Sequence, residues 1–389
     1  MKFYEFFAGG GMVREGLGAR WSCLFANDWD DKKAACYQTR FNGASELMVG
    51  SVESVKAADL PGQADLAWAS FPCQDLSLAG ARGGLRGERS GTFWPFWRLM
   101  ERLAKEGRAP GIIVLENVLG AITSHGGRDL AGILEAMATR GYRTAPMVIN
   151  ASMFLPQSRP RLFLIGFGPQ AAPVANLVAE SPNSLWHPES FALAKGFLSA
   201  KAGKSWIWLN PAPPEPRTLS LADMIETDFP GARWHTRQET DRLLSLMNPL
   251  HRDKVRHAIG SGERIIGAVF KRTRKDKQGA SNQRAEVRFD GLAGCLRTPA
   301  GGSSRQIILM VEGGQARSRL LSPRESARLM GLPDDYNLPK RSQDAYRLTG
   351  DGVAAPVVRW LAQCCIEPSL RPLIPWKKGR AGHLKTADR

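Results

Sequence analysis

The sequence lacks the features that would place the chain in a membrane or an oxidising compartment. No apolar stretch in its 389 residues approaches the roughly 20 that a membrane-spanning helix needs. Its six cysteines, at positions 23, 36, 73, 295, 364 and 365, include no C-x-x-C pair, which disfavours disulfides and a zinc site. The opening MKFYEFFAGGG is typical of a first strand and not of a signal peptide. We therefore expect a cytoplasmic protein without a metal, in which all cysteines except Cys73 are packing residues.

Acidic residues are scarce relative to basic ones. The chain has 53 Lys and Arg against 37 Asp and Glu, a formal net charge of +16 at pH 7. Such an excess indicates a polyanionic partner, although many soluble proteins are basic without binding DNA. Between residues 251 and 288 eleven basic side chains accompany four acidic ones, so this local excess favours nucleic acid.

Strand and helix patterns alternate through the first 170 residues. KFYEFFAGG, ADLAWASFP, GIIVLENV and RLFLIGFG are typical of buried strands, and SGTFWPFWRLMERLAKEG and RDLAGILEAMATRG of helices. Alternation of this kind predicts a parallel sheet with right-handed crossovers. From about residue 171 prolines, tryptophans and then basic residues replace it, and helical patterns return in SPRESARLMGLPDDY and AAPVVRWLAQCC. We predict an α/β domain at 1–170 and 321–366, a second domain at 171–320 and a basic tail at 367–389.

A glycine turn follows the first predicted strand in FFAGGGMVREGLG. Glycines there let the backbone turn tightly and approach a ligand, and the helix that follows favours a negative group. Asp28 stands about 20 residues after Gly9, the spacing of an acid that reaches ribose hydroxyls, and Trp29 offers a flat face to a purine. Arg14 occupies the third glycine position of the dinucleotide fingerprint, which disfavours NAD. The pattern predicts a nucleotide-type site, with an ordinary tight turn as the alternative.

Cys73 and Glu116 both stand at the ends of apolar strand patterns. Ligands bind at the carboxyl ends of strands in such sheets, and a thiol there is a useful nucleophile if a neighbour favours the thiolate. Glu116 leaves so apolar a strand that it needs a partner or a function. A buried thiol and a carboxylate paired with an arginine are the structural alternatives for the two residues.

Taken in order, the motifs resemble those of the DNA cytosine-5 methyltransferases. FFAGGG, NDWD, FPCQDLS, ENV, QSRPR, SPRESARLMGLP and TGDGVAAPVV are similar to that family's conserved motifs and span nearly the whole chain. The resemblance implies a Rossmann-like class I methyltransferase sheet, mostly parallel with helices on both faces, and a smaller irregular β-rich target-recognition domain. It further implies methyl transfer from S-adenosylmethionine to C5 of a flipped-out cytosine in double-stranded DNA.

The resemblance also assigns roles to residues. Cys73 would add to C6 of the cytosine, Glu116 would act at N3, and Arg159 and Arg161 would bind O2 and a flanking phosphate, with Arg161 on the base. The implied cofactor residues are Phe7, Ala8, Gly9, Gly10, Gly11, Asp28, Trp29, Ser51, Pro72, Asp351, Gly352 and Val353. The implied DNA contacts are Gln74, Ser77, Arg82, Arg86, Arg89, Lys271, Arg272, Arg274, Arg297, Thr298, Ser303, Ser304 and Arg305.

Three motifs depart from the family pattern. Met12 replaces a second glycine of the first motif, and Ser51 stands where an aspartate often binds the adenine amino group. Asp351 and Gly352 replace an asparagine-serine pair near the cofactor's methionine moiety. A carboxylate at 351 would repel the cofactor's own carboxylate unless it points at the amino group or the sulfonium. Cofactor contacts are therefore the part of the site that the resemblance specifies least.

Other functions remain to be weighed against this one. A zinc cytidine deaminase is excluded because Leu76 stands where its P-C-x-x-C motif needs a cysteine. An RNA (tRNA) cytosine-5 methyltransferase and a catalytically silent DNA-binding relative stay open, although the large second domain and the intact Cys73 and Glu116 favour a DNA enzyme. We expect a monomeric, nucleoid-associated bacterial or phage enzyme, with a restriction endonuclease as a possible functional partner.

Overall fold

The computed structural model describes residues 1–72, 92–227, 229, 231–275, 281–298 and 305–370, without the side chains of 274 and 275. A seven-stranded sheet with the strand order β3-β2-β1-β4-β5-β7-β6 forms its centre. The strands are β1 Lys2–Phe6, β2 Ser22–Asp28, β3 Leu47–Val49, β4 Leu66–Ala69, β5 Ile112–Val118, β6 Arg143–Asn150 and β7 Pro160–Phe167.

Helices cover the central sheet on both faces, and its central strands are therefore buried. β4 is fully buried and six of the seven residues of β5 are buried, as expected of strands between two helical layers. The helices of this half are α1 Met12–Leu17, α2 Asp31–Arg40, α3 Phe93–Lys105, α4 Gly120–Thr123 and α5 Arg128–Thr139. The chain returns to the sheet at its end as α11 Pro323–Arg328, α12 Ser342–Asp351, α13 Ala355–Leu361 and α14 Glu367–Leu370, with a π-helical turn at Ala362–Ile366.

One strand of the central sheet runs opposite to the predicted direction. β7, which contains RLFLIGFG, pairs antiparallel with both β5 and β6. Only residues 151–159 separate β6 from β7, and a parallel crossover needs a dozen or more residues. The short connection therefore forces a hairpin, and the sheet is mostly rather than wholly parallel.

A second sheet is antiparallel and has the order β11-β10-β12-β13. Its alternating side chains are apolar on both faces: Ile307 and Leu309 pack with α9 and α10, whereas Ile308 and Met310 join the main core. The elements are α9 Arg237–Ser245, α10 Pro249–Gly260, β10 Ile265–Lys275, β11 Ser281–Arg288, β12 Ile307–Glu312 and β13 Gln315–Leu320.

Residues 171–224 connect the two sheets and pack against the first. Trp186, Leu209 and Leu221 lie in the same apolar cluster as β5–β7. The elements here are short: β8 Val178–Ala179 pairs with β9 Trp208–Leu209, beside α6 Phe191–Lys195, α7 Ala200–Ser205 and α8 Leu221–Met224.

The predicted α/β class is confirmed: a mostly parallel sheet with helices accompanies separate antiparallel sheets. The division into domains remains a prediction. Glu367, at the start of the predicted tail, is buried and accepts a hydrogen bond from Trp21 Nε1 at 3.1 Å. None of the described helices is long and apolar enough to cross a membrane.

Candidate active site

The chain reverses its direction of travel across the sheet between β1 and β4, which are neighbours. In open α/β sheets the carboxyl ends of the strands at such a point form the ligand crevice. The glycine turn follows β1, Asp28 ends β2, Phe71 and Pro72 follow β4, and Glu116 lies near the end of β5. The sheet therefore gathers the glycine turn, Asp28, Pro72 and Glu116 at one edge.

Two of the glycines in the turn are required for different reasons. Gly9 has φ +57°, a left-handed conformation that favours glycine, and its N–H donates to Asp28 Oδ2 at 2.7 Å. A Cβ on Gly10 would lie 2.3 Å from Tyr336 Oη, whose hydroxyl donates to the Gly10 carbonyl at 2.5 Å. Gly10 thus admits Tyr336 against the turn, whereas the face of Gly9 is left open for a ligand.

The residues around the turn fit a nucleoside. Asp28 is buried and its Oδ1 accepts the Asp30 N–H at 2.9 Å. Burial raises the pKa of Asp28, while the amide hydrogen bonds from Asp30 and Gly9 oppose that shift. Trp29 beside it is 70% exposed, so its ring is free to stack. A carboxylate that accepts from hydroxyls and an exposed indole are the groups that would hold the ribose and adenine of S-adenosylmethionine.

Glu116 is paired with Arg161 at the far side of the crevice. Arg161 Nε lies 3.1 Å from Glu116 Oε1, and the two side chains are only 14% and 7% exposed. The pair spans the antiparallel neighbours β5 and β7. This pairing is the structural alternative stated for Glu116, and it also fixes the carboxylate near the carboxyl end of β5, at the edge of the sheet where ligands bind.

Arg159 is almost fully buried and makes a different set of contacts. Its guanidinium donates to three carbonyls, those of Leu296 at 2.8 Å, Gly350 at 2.8 Å and Gly352 at 2.6 Å. Burial lowers its pKa to about 10. A single side chain therefore joins the β7 edge, the segment after β11 and the end of α12. This bracing accounts for most of its donors, whereas contact with the base or a phosphate stays a prediction.

Cys295 lies between the two arginines. Its Sγ is 3.5 Å from an Nη of Arg159 and 4.0 Å from an Nη of Arg161. Burial raises the pKa of this thiol, but the two guanidiniums outweigh burial and leave the pKa below its usual value. The packing role expected for Cys295 stays a prediction, and the fold additionally sets this thiol against two positive charges.

The segment that leads to Cys73 is tied to the Glu116 strand. Asn117 Nδ2 donates to the Phe71 carbonyl at 3.3 Å, within the protein interior. Cys73 itself lies outside the described residues, as do Gln74, Ser77, Arg82, Arg86, Arg89, Ser303, Ser304 and the side chain of Arg274.

Comparison with known proteins bears directly on this arrangement. Residues 1–367 match the family described as C-5 cytosine-specific DNA methylase. The chain belongs to the C-5 cytosine-specific DNA methylases. The family resemblance and the enzyme class predicted from the motifs are thereby confirmed.

Individual relatives are similar to this chain over most of their length. The type II methyltransferase M.Bsp6I of Bacillus sp. (strain RFL6) is 27% identical over 344 residues, covering 87% of this chain and 90% of the relative. M.HpaII of Haemophilus parainfluenzae is 26% identical, covering 92% and 87%. The crystal structure of S. pombe Dnmt2 methyltransferase has a TM-score of 0.59 at 15% identity, covering 95% of this chain and 99% of its own. This likeness supports the Rossmann-like methyltransferase fold.

The remaining predicted cofactor and DNA contacts lie in different surroundings in the structure. Ser51 Oγ accepts the Glu53 N–H at 3.3 Å, and Val353 is packed in the apolar core, which leaves its side chain little surface for a cofactor. Arg272 lies 3.6 Å from Glu286, and the Arg305 guanidinium lies 5.9 Å from the centre of the Tyr346 ring. Of the remaining predictions, Phe7, Ala8 and Gly11 follow β1 and Pro72 follows β4. Lys271 lies on β10, and Arg297 and Thr298 are exposed.

Two residues with prominent contacts in the enzyme were not predicted. Gln157 is fully buried and donates to the Leu329 carbonyl at 2.6 Å, while its Oε1 accepts the Leu296 N–H at 3.2 Å. Lys33 pairs with Asp351 across the crevice at 2.6 Å. Gln157 stands in QSRPR and could have been singled out there, but nothing local marks Lys33. No group of three or more potential metal ligands occurs among the described residues.

Proposed function

We propose that the chain is a site-specific DNA cytosine-5 methyltransferase that uses S-adenosylmethionine and forms a transient bond between Cys73 and C6 of the cytosine. The observation that supports this most is the buried Glu116–Arg161 pair at the sheet edge, beside the segment that leads to Cys73. Family membership supplies the reaction class, and this pair is what the reaction would use.

Each residue has a separate task in this proposal. C5 of cytosine is a poor nucleophile, so the Cys73 thiolate adds to C6 and the electron pair of the C5–C6 bond becomes available at C5. Glu116 contacts N3 and compensates the charge that develops on the ring, while Arg161 fixes the Glu116 carboxylate. S-adenosylmethionine, when bound, supplies an electrophilic methyl group. A base then removes the C5 proton, and Cys73 leaves as the C5–C6 double bond re-forms.

Double-stranded DNA is the proposed substrate because the net charge is strongly positive and a reader of the duplex needs a large second unit. C6 is hidden inside a duplex, so the cytosine must rotate out before Cys73 can reach it. Lys271, Arg272 and Arg297 are proposed phosphate or base contacts. A monomeric state, a cytoplasmic and nucleoid-associated location, and a cognate restriction endonuclease remain predictions.

Bisulfite sequencing of plasmid DNA from cells that express the protein tests the proposal. We expect protected cytosines in one fixed sequence context with the wild type and with Cys364→Ala, a thiol control, and none with Cys73→Ala. A purified protein should also become covalently attached to a duplex that carries 5-fluorocytosine at that context. Methylation that survives Cys73→Ala, or modification of tRNA in place of DNA, would contradict the proposal.

A further inference from the structure

Two ion pairs join α2 to α12, and they lie in different surroundings. Lys33 Nζ is 2.6 Å from Asp351 Oδ2, and Lys32 Nζ is 3.0 Å from Asp344 Oδ2. The Lys33 side chain is 15% exposed, whereas that of the adjacent Lys32 is 54% exposed. The two lysines therefore link the same helices, but only Lys33 is enclosed at the crevice.

Lys33 extends over the glycine turn. Among the described residues, its Cδ is the one atom that a Cβ on Gly9 would approach, at 4.0 Å. Burial lowers the pKa of Lys33, but the carboxylates of Asp351 and Asp28 outweigh burial and the net shift is upward. The aliphatic stem of Lys33 thus borders the face of Gly9 that is open to a ligand. The ammonium at the end of this stem keeps its charge.

Asp351 is held from the other side. Its Oδ1 accepts a hydrogen bond from the Thr298 hydroxyl. The carbonyls of its two neighbours, Gly350 and Gly352, are bound by the buried Arg159. The backbone around Asp351 is therefore fixed, while its carboxylate remains 40% exposed.

An ammonium and a carboxylate side by side are complementary to the two charges of an amino-acid group. A carboxylate alone at position 351 would repel the carboxylate of the cofactor, and Lys33 removes that repulsion. The amino-acid end of S-adenosylmethionine is a zwitterion, and it is the part of the cofactor that the family motifs leave without identified partners here.

We propose that Lys33 binds the α-carboxylate of the cofactor and Asp351 binds its α-ammonium. This inference rests on the proposed use of S-adenosylmethionine. It makes the lysine and the aspartate one binding unit, in which the charges that pair with each other in the free protein pair with the ligand in the complex.

The test is a binding matrix of variants against three ligands, measured by titration calorimetry. The ligands are S-adenosylhomocysteine, its decarboxylated analogue 5′-(3-aminopropylthio)adenosine, and 5′-methylthioadenosine, which lacks both charges. Lys33→Met keeps a stem over Gly9 without the charge. It should weaken S-adenosylhomocysteine about 10- to 100-fold and leave the other two ligands unchanged. Asp351→Asn should weaken both ligands that carry the amine and spare methylthioadenosine.

The neighbouring ion pair provides the matched control. Lys32→Met and Asp344→Asn break a bridge between the same helices and should change none of the affinities. If Lys33→Met weakens all three ligands equally, or none of them, the inference is overturned while cofactor binding stands. A wild-type protein that binds none of the three ligands would overturn the proposed cofactor and this inference together.

Discussion

A buried ion pair between β13 and α11 makes the strongest stability prediction. Arg319 and Glu325 are 1% and 0% exposed and lie 2.5 Å apart. The Glu325 carboxylate accepts two bonds from Arg319 and one each from the N–H groups of Ser322 and Glu226. The guanidinium also lies 5.2 Å from the ring centres of Phe229 and Trp234. Each charged group is thus surrounded by groups that stabilise its own charge.

Removing one member of this pair should lower the free energy of unfolding much more than removing both members together. Arg319→Met leaves a buried carboxylate without its counter-charge, and we expect a loss of about 3–5 kcal/mol in the free energy of unfolding. The double variant Arg319→Met/Glu325→Gln removes both charges, so it should be more stable than Arg319→Met alone. Urea unfolding followed by tryptophan fluorescence measures both, and hydrogen exchange should show the loss of protection concentrated at residues 315–328.

Arg328, a more exposed arginine on the helix that carries Glu325, is a control for the effect of burial on a charged pair. Arg328 bonds Glu226 and Asp334 but its side chain is 22% exposed, so Arg328→Met should cost about 1 kcal/mol or less. The reasoning is refuted if Arg319→Met lowers the free energy of unfolding no more than Arg328→Met does. It is also refuted if the loss in Arg319→Met/Glu325→Gln equals the sum of the losses in Arg319→Met and Glu325→Gln measured separately.

Two further predictions concern ionisable groups near the crevice. Burial raises the pKa of Glu5 to about 8, so its contribution to stability is fully present below its usual pKa of 4.5 and is lost as the pH rises through 8. Urea unfolding of the wild type should therefore weaken by up to about 4 kcal/mol from pH 5 to pH 9 relative to Glu5→Gln, and parallel pH profiles would contradict this. Cys295, with its pKa lowered by Arg159 and Arg161, should react with iodoacetamide at lower pH than Cys364, whose pKa burial raises. Peptide mass mapping gives both rates, and Arg161→Met should move the Cys295 profile to higher pH; equal profiles for the two thiols would contradict the assignment.

The sequence predicted the parts of the fold that depend on local pattern. Apolar runs predicted β1, β4, β5 and β7, and helical periodicity predicted α3 and α5. Both signals depend only on the spacing of apolar residues that are close together in the sequence. The direction of β7 was missed, since it depends on the length of the connection from β6 and not on the strand itself. Glu116 and Arg161 were both singled out, and a pairing of Glu116 with an arginine was stated as an alternative. Which arginine it pairs with is a tertiary contact that neither motif specifies.

Charged partners that are far apart in sequence were harder to anticipate. Asp351 appeared in the sequence as an unexplained departure from the family pattern, and its partner Lys33 lies 318 residues away. Nothing in the lysine's neighbourhood distinguishes it from Lys32, because the difference between them arises only when α12 packs beside the glycine turn. A similar limit applied to Cys295, whose neighbours Arg159 and Arg161 lie just before β7 and within it.

Arg159 explains why these distant elements keep their relative positions. Its own backbone N–H donates to Asn150 Oδ1 at 2.8 Å, and its guanidinium reaches Leu296, Gly350 and Gly352. A lysine ammonium has its donors on a single nitrogen, whereas the guanidinium presents donors from two nitrogens in a fixed fork, which is how Arg159 reaches carbonyls of two separate segments. The two residues that flank Asp351 and the residue that follows Cys295 are therefore anchored to the same buried group. A change at Arg159 must disturb both sides of the crevice together, even though most of its hydrogen bonds are made to the protein itself.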